Sequence, residues 1–195
     1  SGVYCAYVNL VGGQDELVFD GASMVVSPEG KMIAQARQFE EDLLVTDIEL
    51  DKTDDRSNKI FISSNTLSYV KPDSVHHPVD KLDETGEIFQ ALVLGTRDYV
   101  RKCGFSKVLI ALSGGIDSSL VAAIAAEALG PQNVVAVFMP SKFSSKQSEV
   151  DAIELSRNLH IDYKTISIEE PFSVMIDKLS SYFRGTDWGV AEENL

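Results

Sequence analysis

Three short apolar runs, each followed by a stretch of helical pattern, leave this chain few folds to choose from. Lys107–Leu112 is apolar after its first residue and reads as a buried strand. Ser118–Leu129 is an Ala-rich helical stretch closed by Gly130-Pro131. Asn133–Met139 reads as a second buried strand, Ser145–Leu159 as a helix opening on hydroxyl residues, Tyr163–Ile168 as a third strand and Phe172–Phe183 as a further helix. Consecutive strands can lie parallel only if a crossover carries the chain back, and that crossover is right-handed. The alternation therefore predicts an α/β fold, a parallel sheet with flanking helices. Ahead of it, Ile88, Phe89, Leu92, Val93, Thr96, Tyr99 and Val100 recur at helical spacing, with Gly104 as the stop.

The first fifty residues differ in character. Val3–Val8, Ser23–Val26, Met32–Ala36 and Leu43–Ile48 read as strands of a β-meander, broken at Gly12-Gly13 and turned at Ser27-Pro28-Glu29-Gly30. Alone that is too thin for a domain, and it reads as the end of something larger. Residues 51–83 are polar and aperiodic, apart from Ile60-Phe61-Ile62, and read as a linker whose charges are solvated. The expected division is thus 1–50, a linker over 51–83, and 84–195. The chain opens in a predicted strand without Met and ends in a predicted young helix, so a piece of a longer protein is expected.

Composition narrows the class of function. Of 195 residues, 44% are apolar and 24% charged, which excludes wholesale disorder. The formal net charge of −13, with no basic run, argues against nucleic acid and anionic membranes as partners. No apolar stretch approaches the roughly 18 residues of a membrane span, and no signal-peptide pattern opens the chain. Two cysteines, Cys5 and Cys103, make no disulfide framework, so a reducing cytoplasm is expected.

The segment richest in chemistry is Val108-Leu109-Ile110-Ala111-Leu112-Ser113-Gly114-Gly115-Ile116-Asp117-Ser118-Ser119. A strand enters a Gly pair and then a helix, at the end of a parallel sheet where ligands bind. The first amides of the Ser118 helix favour an anion, the Gly pair permits close backbone approach, and Ser113, Ser118 and Ser119 add hydroxyls. Asp117 would repel a phosphate unless a cation stood between them, so it reads as a Mg²⁺ ligand. A Walker A loop is excluded by the missing Lys, and a dinucleotide fingerprint because Gly114-Gly115-Ile116-Asp117 does not supply G-x-G-x-x-G. The bland alternative is an ordinary βα turn.

Ser113-Gly114-Gly115-Ile116-Asp117-Ser118 resembles the pyrophosphate loop of the ATP pyrophosphatases. Phe138-Met139-Pro140-Ser141-Lys142-Phe143-Ser144-Ser145, Asp151-Ala152, Asn158-Leu159 and Ala191-Glu192-Glu193-Asn194-Leu195 resemble NAD synthetase. Residues 7–21, with Gly12-Gly13-Gln14-Asp15-Glu16, resemble the late part of a nitrilase-like glutaminase domain. Together they point to the glutamine-dependent NAD synthetases. The resemblance implies a Rossmann-like, adenine nucleotide α-hydrolase-like sheet, preceded by the terminal strands of a nitrilase-like α/β sandwich. It implies ATP and Mg²⁺, with deamido-NAD adenylylated and then amidated by ammonia from glutamine, in an enzyme that forms homo-oligomers. ATP would be held by Ala111, Leu112, Ser113, Gly114, Gly115, Ile116, Asp117, Ser118, Ser119 and Met139, the metal by Asp117, and deamido-NAD by Asn194.

The family's glutaminase uses a Glu, a Lys and a Cys ahead of the Gly-Gly-Gln-Asp-Glu stretch, and this chain matches none of them. Cys5 falls beyond the nucleophile's place and reads as a buried, inert thiol. Met139-Pro140 is either the adenine edge or a plain strand exit. Ser144 and Ser145 either cap a helix or touch ATP. Asn194 either meets substrate or lies exposed on a terminal helix. Asp15 and Glu16 could be taken for catalytic carboxylates, but read better as turn and surface residues or as shaping an ammonia path. His76, His77 and His160 lack metal spacing with Cys partners, and Trp188, Tyr163 and Cys103 read as packing residues. The rival functions are another amidotransferase of the ATP pyrophosphatase class and a non-enzymatic nucleotide-binding module.

Overall fold

The computed structural model describes residues 2–49, 82–142, 144–180 and 182. The chain divides into two compact units, Ser1–Gly12 with Val18–Glu87, and Gly13–Leu17 with Ile88–Leu195. Most of the 51–83 linker, His76, His77, Phe143, Trp188 and Asn194 lie outside the described residues.

In the first unit, β1 (Cys5–Tyr7), β4 (Met24–Val26) and β5 (Met32–Gln35) form an antiparallel sheet in the order β1-β4-β5. Cys5 faces Val26 across the first ladder, and Val25 faces Ala34 across the second. The Ser27–Gly30 turn forms as expected: the Gly30 amide donates to Ser27 O at 2.9 Å, and Gly30 sits at φ 82°. Two expectations fail. Gly12-Gly13 does not break the chain but lies inside β2 (Val11–Gln14), which pairs with β3 (Leu17–Asp20). The reversal falls instead at Asp15, which takes the left-handed conformation at φ 51°. This hairpin separates β1 from β4, so the arrangement is not a simple meander. Leu43–Ile48 is not a strand; Leu43 is 80% exposed and no described neighbour offers it a ladder. Apolar content without a partner does not make a strand.

In the second unit, α1 (Glu84–Lys102) leads to three parallel strands in the order β6-β7-β8: β6 (Val108–Ala111), β7 (Val134–Phe138) and β8 (Asp162–Thr165). Val108 pairs with Val134, and Val135 with Asp162. The crossovers are α2 (Ile116–Leu129) and α3 (Lys146–Asn158), and α4 (Glu169–Leu179) follows β8. The core joins Ile110, Leu112, Val134, Ala136 and Phe138 of the sheet to Ala122, Ala125 and Ala126 of α2 and Ala152 of α3. Ala122, Ala136 and Ala152 are fully buried. Small side chains there let both helices lie close to the strands, so the Ala-rich run serves packing as well as helix propensity.

The strands are not buried on both faces, as the apolar runs suggested. Along β6 and β7 burial alternates, and Leu109 is 75% exposed among the described residues. The helical stripe of α1 is likewise only partly covered: Val93, Leu94 and Val100 are buried, whereas Ile88 and Tyr99 are exposed. Cys5 and Cys103 are both free and exposed, not packed inside. Tyr163 does pack against the core, with its hydroxyl buried and unpartnered among the described residues.

Candidate functional site

The strand–Gly-Gly–helix segment forms as the sequence suggested, but its helix starts two residues early. Leu112 extends β6, its amide donating to Val137 O at 2.9 Å. Gly114 then takes φ 79°, and Gly115 (φ −83°, ψ 162°) is the residue that precedes the first turn of α2. No side chain caps this helix. The Gly115 amide donates to Ser113 Oγ at 3.2 Å, so the next amides, of Ile116, Asp117 and Ser118, are the ones left at the end of the helix dipole. Asp117 therefore stands inside the first turn, exposed, and is not the cap.

The loop hydroxyls mostly face inward. Ser118 Oγ donates to Gly115 O at 3.0 Å and accepts from the Ser113 amide at 3.2 Å. Ser119 Oγ donates to the same Gly115 carbonyl at 2.8 Å. Ser113 Oγ lies 3.0 Å from Ser118 Oγ. These serines, read as ligand donors, brace the loop and fix the direction of the helix end. Gly114 is required for a second reason. A Cβ there would come within 2.8 Å of Ser148 Cα and 2.9 Å of Ser148 C, so the loop rests directly on the backbone of α3.

Beside the loop, a cavity of about 310 Å³ opens at the carboxyl ends of β6 and β7. Ala111, Leu112, Ser113, Phe138 and Met139 line its strand side, and Ser144, Ser145 and Ser148 its helix side. Ser145 caps α3, accepting from the Ser148 amide at 3.0 Å, and Ser144 Oγ accepts from the Ser141 amide at 3.0 Å. The cavity thus gathers Ala111, Leu112, Ser113 and Met139 of the candidate residues, while Gly114 to Ser119 flank it. Sequence reasoning missed Phe138 and Ser148. The Ser145-x-x-Ser148 spacing of a helix start was the available signal for Ser148.

A cavity at the ends of parallel strands, beside a helix start that no side chain caps, defines an α/β protein with its ligand-binding end at the carboxyl edge of the sheet. Residues 88–195 match the NAD synthase family, and residues 1–56 match the carbon-nitrogen hydrolase family. The chain belongs to the NAD synthase family. It is 44% identical to a glutamine-dependent NAD(+) synthetase of Aquifex aeolicus, over 98% of this chain and 36% of that protein. A protein of the same name from Synechocystis is 44% identical over 97% of this chain and 31% of its own length. Its fold matches that of the glutamine-dependent NAD+ synthetase of Acinetobacter baumannii, solved in complex with ADP, with a TM-score of 0.80 at 34% identity. That match covers 99% of this chain and 33% of the other. The chain spans about a third of the length of the relatives it matches.

Proposed function

We propose that this chain carries the ATP-handling part of an enzyme that converts deamido-NAD to NAD, with ammonia drawn from glutamine. The observation that carries the reading is the cavity at the ends of β6 and β7, set beside a Gly-Gly loop and an uncapped helix. A triphosphate is an anion of the kind such a helix end attracts, and the Acinetobacter relative holds ADP. In this reading Met139 borders the adenine, and the amides of Ile116, Asp117 and Ser118 hold the β- and γ-phosphates. The nicotinate carboxylate attacks the α-phosphate, giving an adenylylated carboxylate and pyrophosphate. Ammonia then displaces AMP to give the amide. The loop's part is to hold the departing pyrophosphate with donors already aimed, so that little reorganisation is needed as charge develops.

Asp117 fits a Mg²⁺ ion. It is exposed at the helix end, and among the described residues no group of three His, Cys, Asp or Glu offers a full metal cage. Mg²⁺ is commonly bound through one or two carboxylates, with substrate phosphates and water completing the shell. Bound there, the ion would neutralise charge on the leaving pyrophosphate. We assign residues 1–50 to the end of the glutaminase part, 51–83 to a linker and 84–195 to the start of the synthetase part. Asn194 is assigned to deamido-NAD, the longer enzyme to a homo-oligomer, and its site of action to the cytoplasm. No described helix is long and apolar enough to cross a membrane.

The full-length protein, given deamido-NAD, ATP and ammonium, is expected to form NAD, AMP and pyrophosphate in equal amounts. Release of ADP and phosphate instead would overturn the reading. Residues 1–195 alone are expected to release no ammonia from glutamine, because the family's Glu, Lys and Cys are unmatched. Steady glutamine turnover, abolished by Cys5→Ala, would show that the glutaminase centre has been misplaced.

A further inference from the structure

The tip of the β2–β3 hairpin is held by a clamp that the proposed ATP chemistry does not use. The tip, Gly13–Leu17, belongs to the second unit. There the Gly13 amide donates to Asp98 Oδ2 at 2.8 Å. Lys102, one turn further along α1, donates through Nζ to the Gly13 carbonyl and, at 3.3 Å, to Gln14 Oε1. Residues at i and i+4 share a helix face, so an acceptor and a donor of opposite charge grip both polar groups of one peptide residue. Arg97 Nε, 3.2 Å from Asp98 Oδ1, fixes the carboxylate from its other side. Burial pushes the Asp98 carboxyl up, but the Gly13 amide, Arg97 and Lys102 together hold it below the ordinary carboxylate value. The approach is close: a Cβ on Gly13 would lie 3.0 Å from Gly95 Cα and 3.4 Å from Asp98 Cβ. A turn that only reverses a hairpin can leave its peptide groups to water.

We propose that Asp98 and Lys102 are positioning residues that keep glutamine hydrolysis coupled to amidation, by fixing the hairpin tip on α1. The inference rests on the proposed function. The hairpin lies in the stretch matching the carbon-nitrogen hydrolases, and α1 from residue 88 onward in the stretch matching NAD synthase. On its buried face α1 packs against α2, Val93 meeting Ile124 and Ala128. The N-terminus of α2 is the Gly-Gly loop. A shift of the hairpin tip is thus delivered to the loop through two packed helices, and packed interiors transmit such shifts because they have little void to absorb them.

The test uses the full-length protein. Asp98→Asn keeps size and removes charge, and Lys102→Met keeps the stem and removes the donor. In both variants, NAD formation from ammonium is expected to stay within about twofold of wild type, while formation from glutamine falls about tenfold. Glutamate release should continue, so the ratio of glutamate to NAD rises, and Asp98→Glu should restore part of the coupling. A merely structural role would lower both nitrogen sources together and leave that ratio unchanged, which would overturn the inference. Amide exchange at Gly13 gives a readout besides activity. It should quicken about tenfold in either variant, and unchanged exchange also overturns the clamp. Failure of the functional reading looks different: wild-type protein then makes no NAD even from ammonium, and the coupling falls with it.

Discussion

Asp117→Asn in the full-length protein is expected to lower the ammonium-dependent rate about a hundredfold or more, the scale seen when a group that stabilises developing charge is lost. The substitution keeps size and polarity and removes one charge. If that charge holds Mg²⁺ against the pyrophosphate, its absence is felt most as the leaving group becomes more negative. Raising Mg²⁺ should recover part of the rate, because the damage is to ion binding. Folding should change little, since Asp117 is exposed. The structure sharpens the comparison, because the residue before the helix is Gly115 and Asp117 is not a cap that Asn would replace. A structural carboxylate in the first turn of a helix is worth at most about 1 kcal/mol at an exposed site. Activity near wild type at low Mg²⁺ would remove the catalytic reading.

The two loop glycines should fail in different ways. Gly114→Ala meets two penalties at once: a left-handed φ of 79° and a Cβ pressed into the backbone of Ser148. The first costs about 1–2 kcal/mol and the second about 1–3 kcal/mol, so a loss of roughly 3 kcal/mol of stability is expected. ATP binding should go with it, because α3 must move to make room. Gly115→Ala is the control. Gly115 sits at φ −83°, and the nearest atom to an added Cβ is Ser113 Oγ at 3.3 Å. That variant should lose only about 1 kcal/mol, because Ala is a poorer residue than Gly ahead of a helix, and still bind ATP more weakly by about tenfold, since a methyl then stands where phosphate oxygens would approach. Unfolding curves paired with ATP titrations of the two variants separate packing from ligand contact. Equal losses of stability in both would refute the assignment of Gly114 to the contact with α3.

How much of this was legible depended on whether the signal was local. The alternation of β6, α2, β7, α3 and β8 was readable because each element carries its own period and its own stop, as Gly130 does after α2. The start of α2 was misplaced because Ser118 and Ser119 look like capping residues, and Ser is among the favoured caps. In the fold both turn back onto the Gly115 carbonyl. Gly12-Gly13 reads as a break because Gly is depleted in strands. It is tolerated at Gly13 because the strand end must approach Gly95, eighty-two positions further along, and nothing near Gly13 announces that. The exposure of Leu109 and of Cys5 was invisible for the same reason: burial belongs to neighbours, not to the residue. Ser148 shows the limit for the site itself, for its importance comes from what rests on its backbone.

That backbone contact carries a rule for insertions and deletions. Between Ser145 and Ser148 the spacing is fixed. One residue added there turns the rest of α3 by about 100° relative to its cap. A side chain would then be carried to the spot where Gly114 needs bare main chain. Homologous chains should therefore keep the number of residues between Ser145 and Ser148.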